Sequence, residues 1–323
     1  MATNSKKDKK DQNGKAEKMS KKVKKYKRKY RKIKGFIITL AVILAAVLGL
    51  LFGKDALEKQ KPVVEPVSGN EVQFHFIDVG QGDAALIRTA AGDILIDAST
   101  NSAEDELQAY LDNLGVTDIE YAVFTHPHED HIGGADMILT DFTVKNVIMP
   151  DITSNSQAFA TMLDAMEKSQ ANVIEAVAGE TFTLGDLTLK ILAPLKKYSD
   201  TNDMSVVIRA TYGSVSMMFT GDAEGNMEGK SEKDILATYK ASELDCDFLK
   251  VGHHGSDTST SSAFLKAVSP KIAAISCGAG NKHGHPVQSV LDTLNAAGVT
   301  TYRTDLSGTL VFVCDGKTIE YKK

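Results

Sequence analysis

The longest apolar run in the chain covers residues 35–53, from Gly35-Phe36-Ile37 to Leu51-Phe52-Gly53, 19 residues without a charge. Coiled as a helix it spans about 28 Å, close to the hydrocarbon thickness of a bilayer. A soluble helix keeps one polar face. This run has none, and it predicts a transmembrane helix. A cleaved signal peptide is the alternative, but Leu51-Phe52-Gly53-Lys54-Asp55 offers no convincing small-x-small site. Residues 54–70, with Pro62, Pro66 and Gly69, carry no apolar period and read as a linker.

From residue 71 the pattern changes. Residues 73–78 alternate and close in Gly80-Gln81-Gly82-Asp83, and residues 84–89 and 93–97 follow as short apolar runs. Three close strands with Gly-rich turns predict an antiparallel start to a sheet. Leu107, Tyr110, Leu111 and Leu114 recur at helical spacing, and an apolar strand over 119–125 runs straight into His126. A βββαβ order with later helices implies an α/β layered domain over 71–323.

Charge divides the chain at the same place. Residues 1–34 hold 16 Lys or Arg against Asp8, Asp11 and Glu17, while the rest holds 21 basic and 39 acidic residues. The tail has almost no apolar residues and is predicted to be disordered. A basic cluster before the apolar run puts the N-terminus in the cytoplasm and the domain outside the cell. The tail's expected partner is anionic membrane lipid rather than nucleic acid. Cys246, Cys277 and Cys314 sit in apolar runs without CxxC spacing, so they read as small buried residues and not as a disulfide framework.

The chemistry concentrates in His126-Pro127-His128-Glu129-Asp130-His131, three imidazoles and two carboxylates within six residues. Alternate residues at a strand end point the same way, so His126 and His128 can grip one ion. The chain then turns, and Asp130 and His131 can face a second. Imidazole and carboxylate ligands suit Zn²⁺ first, with Mn²⁺ or Fe²⁺ as alternatives. Gly133 and Gly134 would let the following helix approach closely. An apolar strand over 214–219 ends in Thr220-Gly221-Asp222, and another over 249–251 ends in Gly252-His253-His254-Gly255. A carboxylate at a strand end can bridge two cations. One of the two histidines should close the second site; His253 is favoured because it lies nearer the strand.

These segments, with Phe76-Ile-Asp-Val-Gly-Gln-Gly-Asp83, Asn202-Asp-Met-Ser205 and Gly284-His-Pro286, occur in an order that resembles the metallo-β-lactamase superfamily. Within it they look like the extracellular hydrolase domains of ComEC-type competence proteins, over about residues 72–315. The resemblance implies a four-layered αββα sandwich, two metal ions, and Asp222 as their bridge. It implies that His285 lines the site, contacting an anionic substrate or protonating a leaving group. Many members place a further histidine before the Gly-Asp, but residues 132–221 contain none. Asn202, Asp203 and Ser205 take that slot, which leaves the first metal bound more weakly, or partly by Asp203 or solvent; with Ser256 they are expected on the substrate side. His75 reads as structural, and Asp78, Gln81 and Asp83 as braces for the loop beneath the metals. Asp97-Ala98-Ser99 departs from the usual Asp-x-Gly, leaving Ser99 in an uncomfortable turn.

The expected activity is metal-dependent hydrolysis of phosphodiesters, with DNA as one substrate. A single span cannot transport DNA, so that role would need a separate channel protein. The acidic balance of the domain opposes long DNA, because duplex binding depends on neutralising phosphates. An esterase acting on a smaller anionic target, such as a phosphocholine-bearing wall polymer, is the alternative. A non-catalytic surface binding module is the third class, disfavoured by the complete hexapeptide together with Asp222.

Overall fold

The structure, a computed structural model, describes residues 67–322. The basic tail, the apolar run and all of the linker before residue 67 lie outside the described residues. Among the described residues, no helix is long and apolar enough to cross a membrane.

Strands β1 (Val72–Phe76), β2 (Ala85–Thr89), β3 (Gly92–Ile96), β4 (Asp118–Val123), β5 (Thr143–Met149) and β6 (Asn172–Glu175) lie side by side in that order. The first three pair antiparallel, as the alternating pattern and Gly-rich turns suggest, and β3 to β6 pair parallel. The chain then builds a second sheet. It runs from β7 (Thr181–Leu184) through β8 (Leu187–Ala193), β9 (Val207–Tyr212), β10 (Val215–Phe219), β11 (Phe248–Lys250) and β12 (Ile272–Ile275) to β13 (Thr300–Arg303). Finally β14 (Leu310–Cys314) and β15 (Ile319–Lys322) return to the first sheet, with β14 antiparallel to β1.

Each sheet is covered on both faces. Between the sheets lie Phe74, Phe76, Ile87 and Ile94 against Ile208, Met217, Phe219 and Phe248. Phe76 stacks on Phe248 at 5.3 Å, and Phe248 meets Phe312 edge-on at 4.7 Å. Such pairs add about 0.5–1.5 kcal/mol each beyond the area they bury. The helices Glu104–Asn113, Ala135–Asp141 and Gln157–Ser169 cover the outer face of the first sheet through Leu107, Leu111, Ile138 and Phe159. The helices Ser231–Thr238, Ser262–Val268 and Gln288–Ala296 cover the second through Ile235, Phe264 and Leu294. Helix, sheet, sheet and helix are therefore the four layers, and β1 is buried at every position because both its faces are packed.

Helix packing explains His75, whose Nδ1 lies 2.8 Å from the Tyr110 hydroxyl. Burial, aided by the nearby Arg88, pushes this imidazole down to about 3, so it is a neutral core residue. The three cysteines are buried and free. Ser99 has φ 61°, in the left-handed region, which bears out the discomfort expected where a glycine is usual. Its amide donates to the Asp83 carbonyl and its carbonyl accepts from the Gly133 amide, so the conformation is locked. Ser99→Gly is expected to raise stability by up to about 1 kcal/mol, read as a higher denaturant midpoint; a lower midpoint would contradict the strain assigned here.

Candidate metal centre

All the motifs lie where strands end. His126 follows β4, Asp222 follows β10, the His253-His254 turn follows β11, and the His285 loop follows β12. Ligand sites of α/β sheets form at such carboxyl ends. Gly133 is required by the close approach noted in the sequence: a Cβ there would collide with the backbone of Thr100 and Asn101.

The hexapeptide presents two groups. His126 Nε2 and His128 Nδ1 converge to 3.0 Å, and Asp222 Oδ2 lies 3.7 Å from the former. On the other side, His131 Nε2 is 3.2 Å from Asp222 Oδ1, and His254 Nε2 is 3.3 Å from Asp130 Oδ2 and 3.9 Å from Asp222 Oδ2. Asp222 thus faces both groups with its two oxygens, the position of a bridge. His253 approaches the same carboxylate from the cleft, its Nε2 3.6 Å from Asp222 Oδ2.

The geometry separates the two histidines, a choice that the sequence left open while favouring His253. His254 joins the buried group of Asp83, His131 and Asp222, whereas His253 stays partly exposed and pairs through Nδ1 with the Thr258 hydroxyl. Both residues are left-handed, with φ 51° and 53°. That tight turn reverses the chain, so nearness to the strand end does not decide which ring points inward. Backbone strain of this kind collects at functional sites.

Whether cations fit is answered by orphaned polar atoms. His131 Nε2, His254 Nε2 and Asp222 Oδ1 are buried without a hydrogen-bond partner. Each would cost about 1–3 kcal/mol if left so. They face one another, and a cation among them satisfies all three. The donor set, imidazoles with carboxylates, is that of a dinuclear metal site. The charges agree. Burial works against ionising Asp222, but His131, His254 and His126 around it hold its carboxyl well below the usual range. Burial opposes a proton on His131 too, yet Asp222 and Asp97 keep it well above an ordinary imidazole. At His126 burial and the neighbouring His131 outweigh the pull of Asp222 and push the ring well down.

Several imidazoles are gripped from behind. His131 Nδ1 donates to Asp97 Oδ2 at 2.7 Å, and His254 Nδ1 donates to the Ser276 carbonyl at 3.0 Å. Asp83 sits behind both rings, 3.9 Å from His131 Nδ1 and 3.7 Å from His254 Nδ1, and takes the Lys250 ammonium at 2.7 Å. Sequence reasoning read Asp83 as a brace for the loop beneath the metals but missed Lys250 and Asp97. Only the Asp97 position carried a signal, the superfamily turn already noted.

The four residues expected on the substrate side do not line the open cleft. Asn202, Asp203, Ser205 and Ser256 are all buried. Asp203 accepts the backbone N–H groups of Glu224 and Ser231 and pairs with Lys230 at 3.0 Å. Asn202 reaches Glu224, Ser205 Oγ accepts the Asp222 amide at 3.0 Å, and Ser256 meets Thr258. These residues shape the loops behind the site rather than its open face. Lys230 also pairs with Asp200 and Glu224, so the cation of that acidic trio is a lysine.

In front of the site opens a cleft of about 710 Å³. Asp78, Glu106, Glu129 and Asp130 line it, with Lys282 and His283 opposing them. The His285 ring stands 5.7 Å from that of His253, on a loop stapled by Asn281, whose Oδ1 accepts the His283 and His285 amides. Burial, with His253 and His254 nearby, pushes His285 down to about 4. The ring is therefore held neutral, and a neutral ring can still donate a hydrogen bond to an anionic substrate or a leaving group.

Comparison with known proteins agrees with this geometry. The family described as Metallo-beta-lactamase superfamily matches residues 77–279. ComE operon protein 3 of Bacillus subtilis is 28% identical over 268 residues, covering 77% of this chain and 34% of that protein. Competence protein ComA of Neisseria gonorrhoeae is 31% identical over 250 residues, covering 77% and 33%. The chain thus spans about a third of the length of these curated relatives. The metallo-beta-lactamase fold protein YhfI from Bacillus subtilis superposes with a TM-score of 0.50 at 12% identity, over 76% of this chain and 100% of that one, a likeness of fold alone.

Proposed function

This chain belongs to the metallo-β-lactamase superfamily, and from that premise we propose that it is a dinuclear metal-dependent hydrolase that cleaves phosphodiester bonds. One observation carries the reading: Asp222 turns one oxygen toward His131 and the other toward His126, with unpartnered buried nitrogens and oxygens around it. His126, His128 and Asp222 would hold one ion, and Asp130, His131, His254 and Asp222 the other. We assign Zn²⁺ to both, from the predominance of imidazole ligands. A pair of bound divalent ions supplies water of lowered pKa and a charge that polarises the ester.

The chain's own residues do the rest. Asp130, partly open to the cleft, orients the attacking water by accepting its hydrogen bond. Lys282 draws the anionic phosphate into the cleft. His285, neutral at pH 7, donates a hydrogen bond to an oxygen that gains charge as the ester breaks. The 35–53 run would anchor the domain at the outer face of the cell membrane, with the basic tail against cytoplasmic lipid.

A second reading, hydrolysis of a small ester such as one on a phosphocholine-bearing wall polymer, is favoured by the acidic lining of the cleft. The four carboxylates Asp78, Glu106, Glu129 and Asp130 along it resist a polyanion such as long DNA and tolerate a substrate with a single phosphate. DNA cleavage, in concert with a separate channel protein, remains the first reading's stronger form.

Hydrolysis of bis(p-nitrophenyl) phosphate, lost on chelation and restored by added Zn²⁺, tests the proposal, and no turnover in the metal-loaded chain would overturn it. Linear DNA and purified wall polymer as competing substrates separate the two readings. His285→Ala is expected to lower turnover about a hundredfold, the usual worth of one donor to a developing oxyanion. Its metal content should stay the same. Because His285 titrates only near pH 4, its contribution should be flat between pH 6 and 8; a step in that window would show a charged ring at work.

A further inference from the structure

The two metal groups are not supported equally. Behind His131 stands a carboxylate, Asp97, and behind His254 a backbone carbonyl, that of Ser276. His128 has neither. Its Nδ1 faces His126, and its Nε2 meets the hydroxyl of Thr201 at 2.7 Å. No histidine occurs between residues 132 and 221 to add a third imidazole to this group.

We propose that Thr201 is a positioning residue for His128 and that the ion held by the His126–His128–Asp222 group depends on it. A histidine that ligates through Nδ1 must carry its proton on Nε2. Thr201 Oγ1 accepts that Nε2–H, which fixes the tautomer and turns the Nδ1 lone pair toward the ion. The rigidity comes from the turn around it. The Met204 amide donates to the Thr201 carbonyl, and Lys230 clamps the neighbouring Asp200 at 2.7 Å. The same turn ends in Ser205, whose hydroxyl holds the Asp222 amide. A segment without a metal ligand of its own thus sets two of the three ligands in the group. A neutral hydroxyl is a weaker orienter than the carboxylate behind His131, so this ion is the more readily exchanged of the two.

The inference rests on the dinuclear reading above, but its test needs no substrate. The chain is stripped of metal and titrated with Zn²⁺ against a chromophoric chelator. Wild type should take up two ions with unequal affinity. Thr201→Val, which keeps the shape and removes the acceptor, should weaken the looser ion about 10–100-fold, as loss of an outer partner does, and leave the tighter one unchanged. Thr201→Ser should restore the wild-type titration. The proposal is overturned if the valine variant titrates like wild type, if both ions weaken alike, or if the serine variant behaves like valine. Two ions bound as described without phosphodiester cleavage would sink only the proposed function. A wild-type chain that takes up no ion overturns both.

Discussion

The Asp222→Ala variant is expected to retain at most about a thousandth of wild-type phosphodiester turnover, and to bind fewer than two ions. The magnitude follows from its place. Its oxygens face His126, His131, His253 and His254 at 3.2 to 3.9 Å, so its loss removes a ligand from both groups at once. Groups that act as a unit lose nearly everything when one is removed. The carboxylate is buried and its backbone is held by Ser205. Metal analysis beside the p-nitrophenol assay reads both effects. Two ions bound at full occupancy in this variant would remove Asp222 from the bridge.

The second large effect is on stability. Lys250→Met should destabilise the metal-free chain by about 3 kcal/mol or more. Lys250 rises from β11 of the second sheet, and its ammonium donates to Asp83, on the loop after β1 of the first. Both side chains are almost fully buried. Burial alone would raise the Asp83 carboxyl, but Lys250, His254 and His131 pull it below its ordinary value. Removing the ammonium strands a charge between the sheets, and breaking one half of a buried pair costs far more than the pair contributes. A carboxyl held low in the folded state stabilises it above its unfolded pKa, near 4, and that stability is lost as the pH falls through the folded value. The gap between variant and wild type should therefore be full at pH 7 and narrow below about pH 4. Asp83→Asn combined with Lys250→Met should recover part of the loss. Guanidinium unfolding of the chelated proteins measures all three, and a single variant within 1 kcal/mol of wild type at pH 7 would refute the assignment.

How much of this was legible in the chain follows from distance along it. The hexapeptide could be read because its residues are neighbours and strand alternation orients them. The strand ends before His126, Asp222 and His253 were legible as apolar runs, and so was the glycine at 133. Three things were not. Lys250 and Asp83 lie 167 positions apart, and Thr201 and His128 lie 73 apart, so no local pattern connects them. The choice of His254 over His253 turns on two left-handed residues, a conformation that no histidine announces. Asn202, Asp203 and Ser205 looked like substrate contacts because they are polar and fill a ligand's slot. They are buried in a turn that Lys230 clamps through Asp200 and Asp203, and nothing in the spacing ties Lys230 to that turn.

The return of β14 to the flank of β1 has a kinetic cost. Phe74 pairs with Phe312, so β1 stays open along one edge until β14, 238 positions further along, has been made. Contacts so remote in sequence slow folding and leave a sticky edge exposed meanwhile. A cell making this protein must shield that edge for most of the time it takes to build the rest.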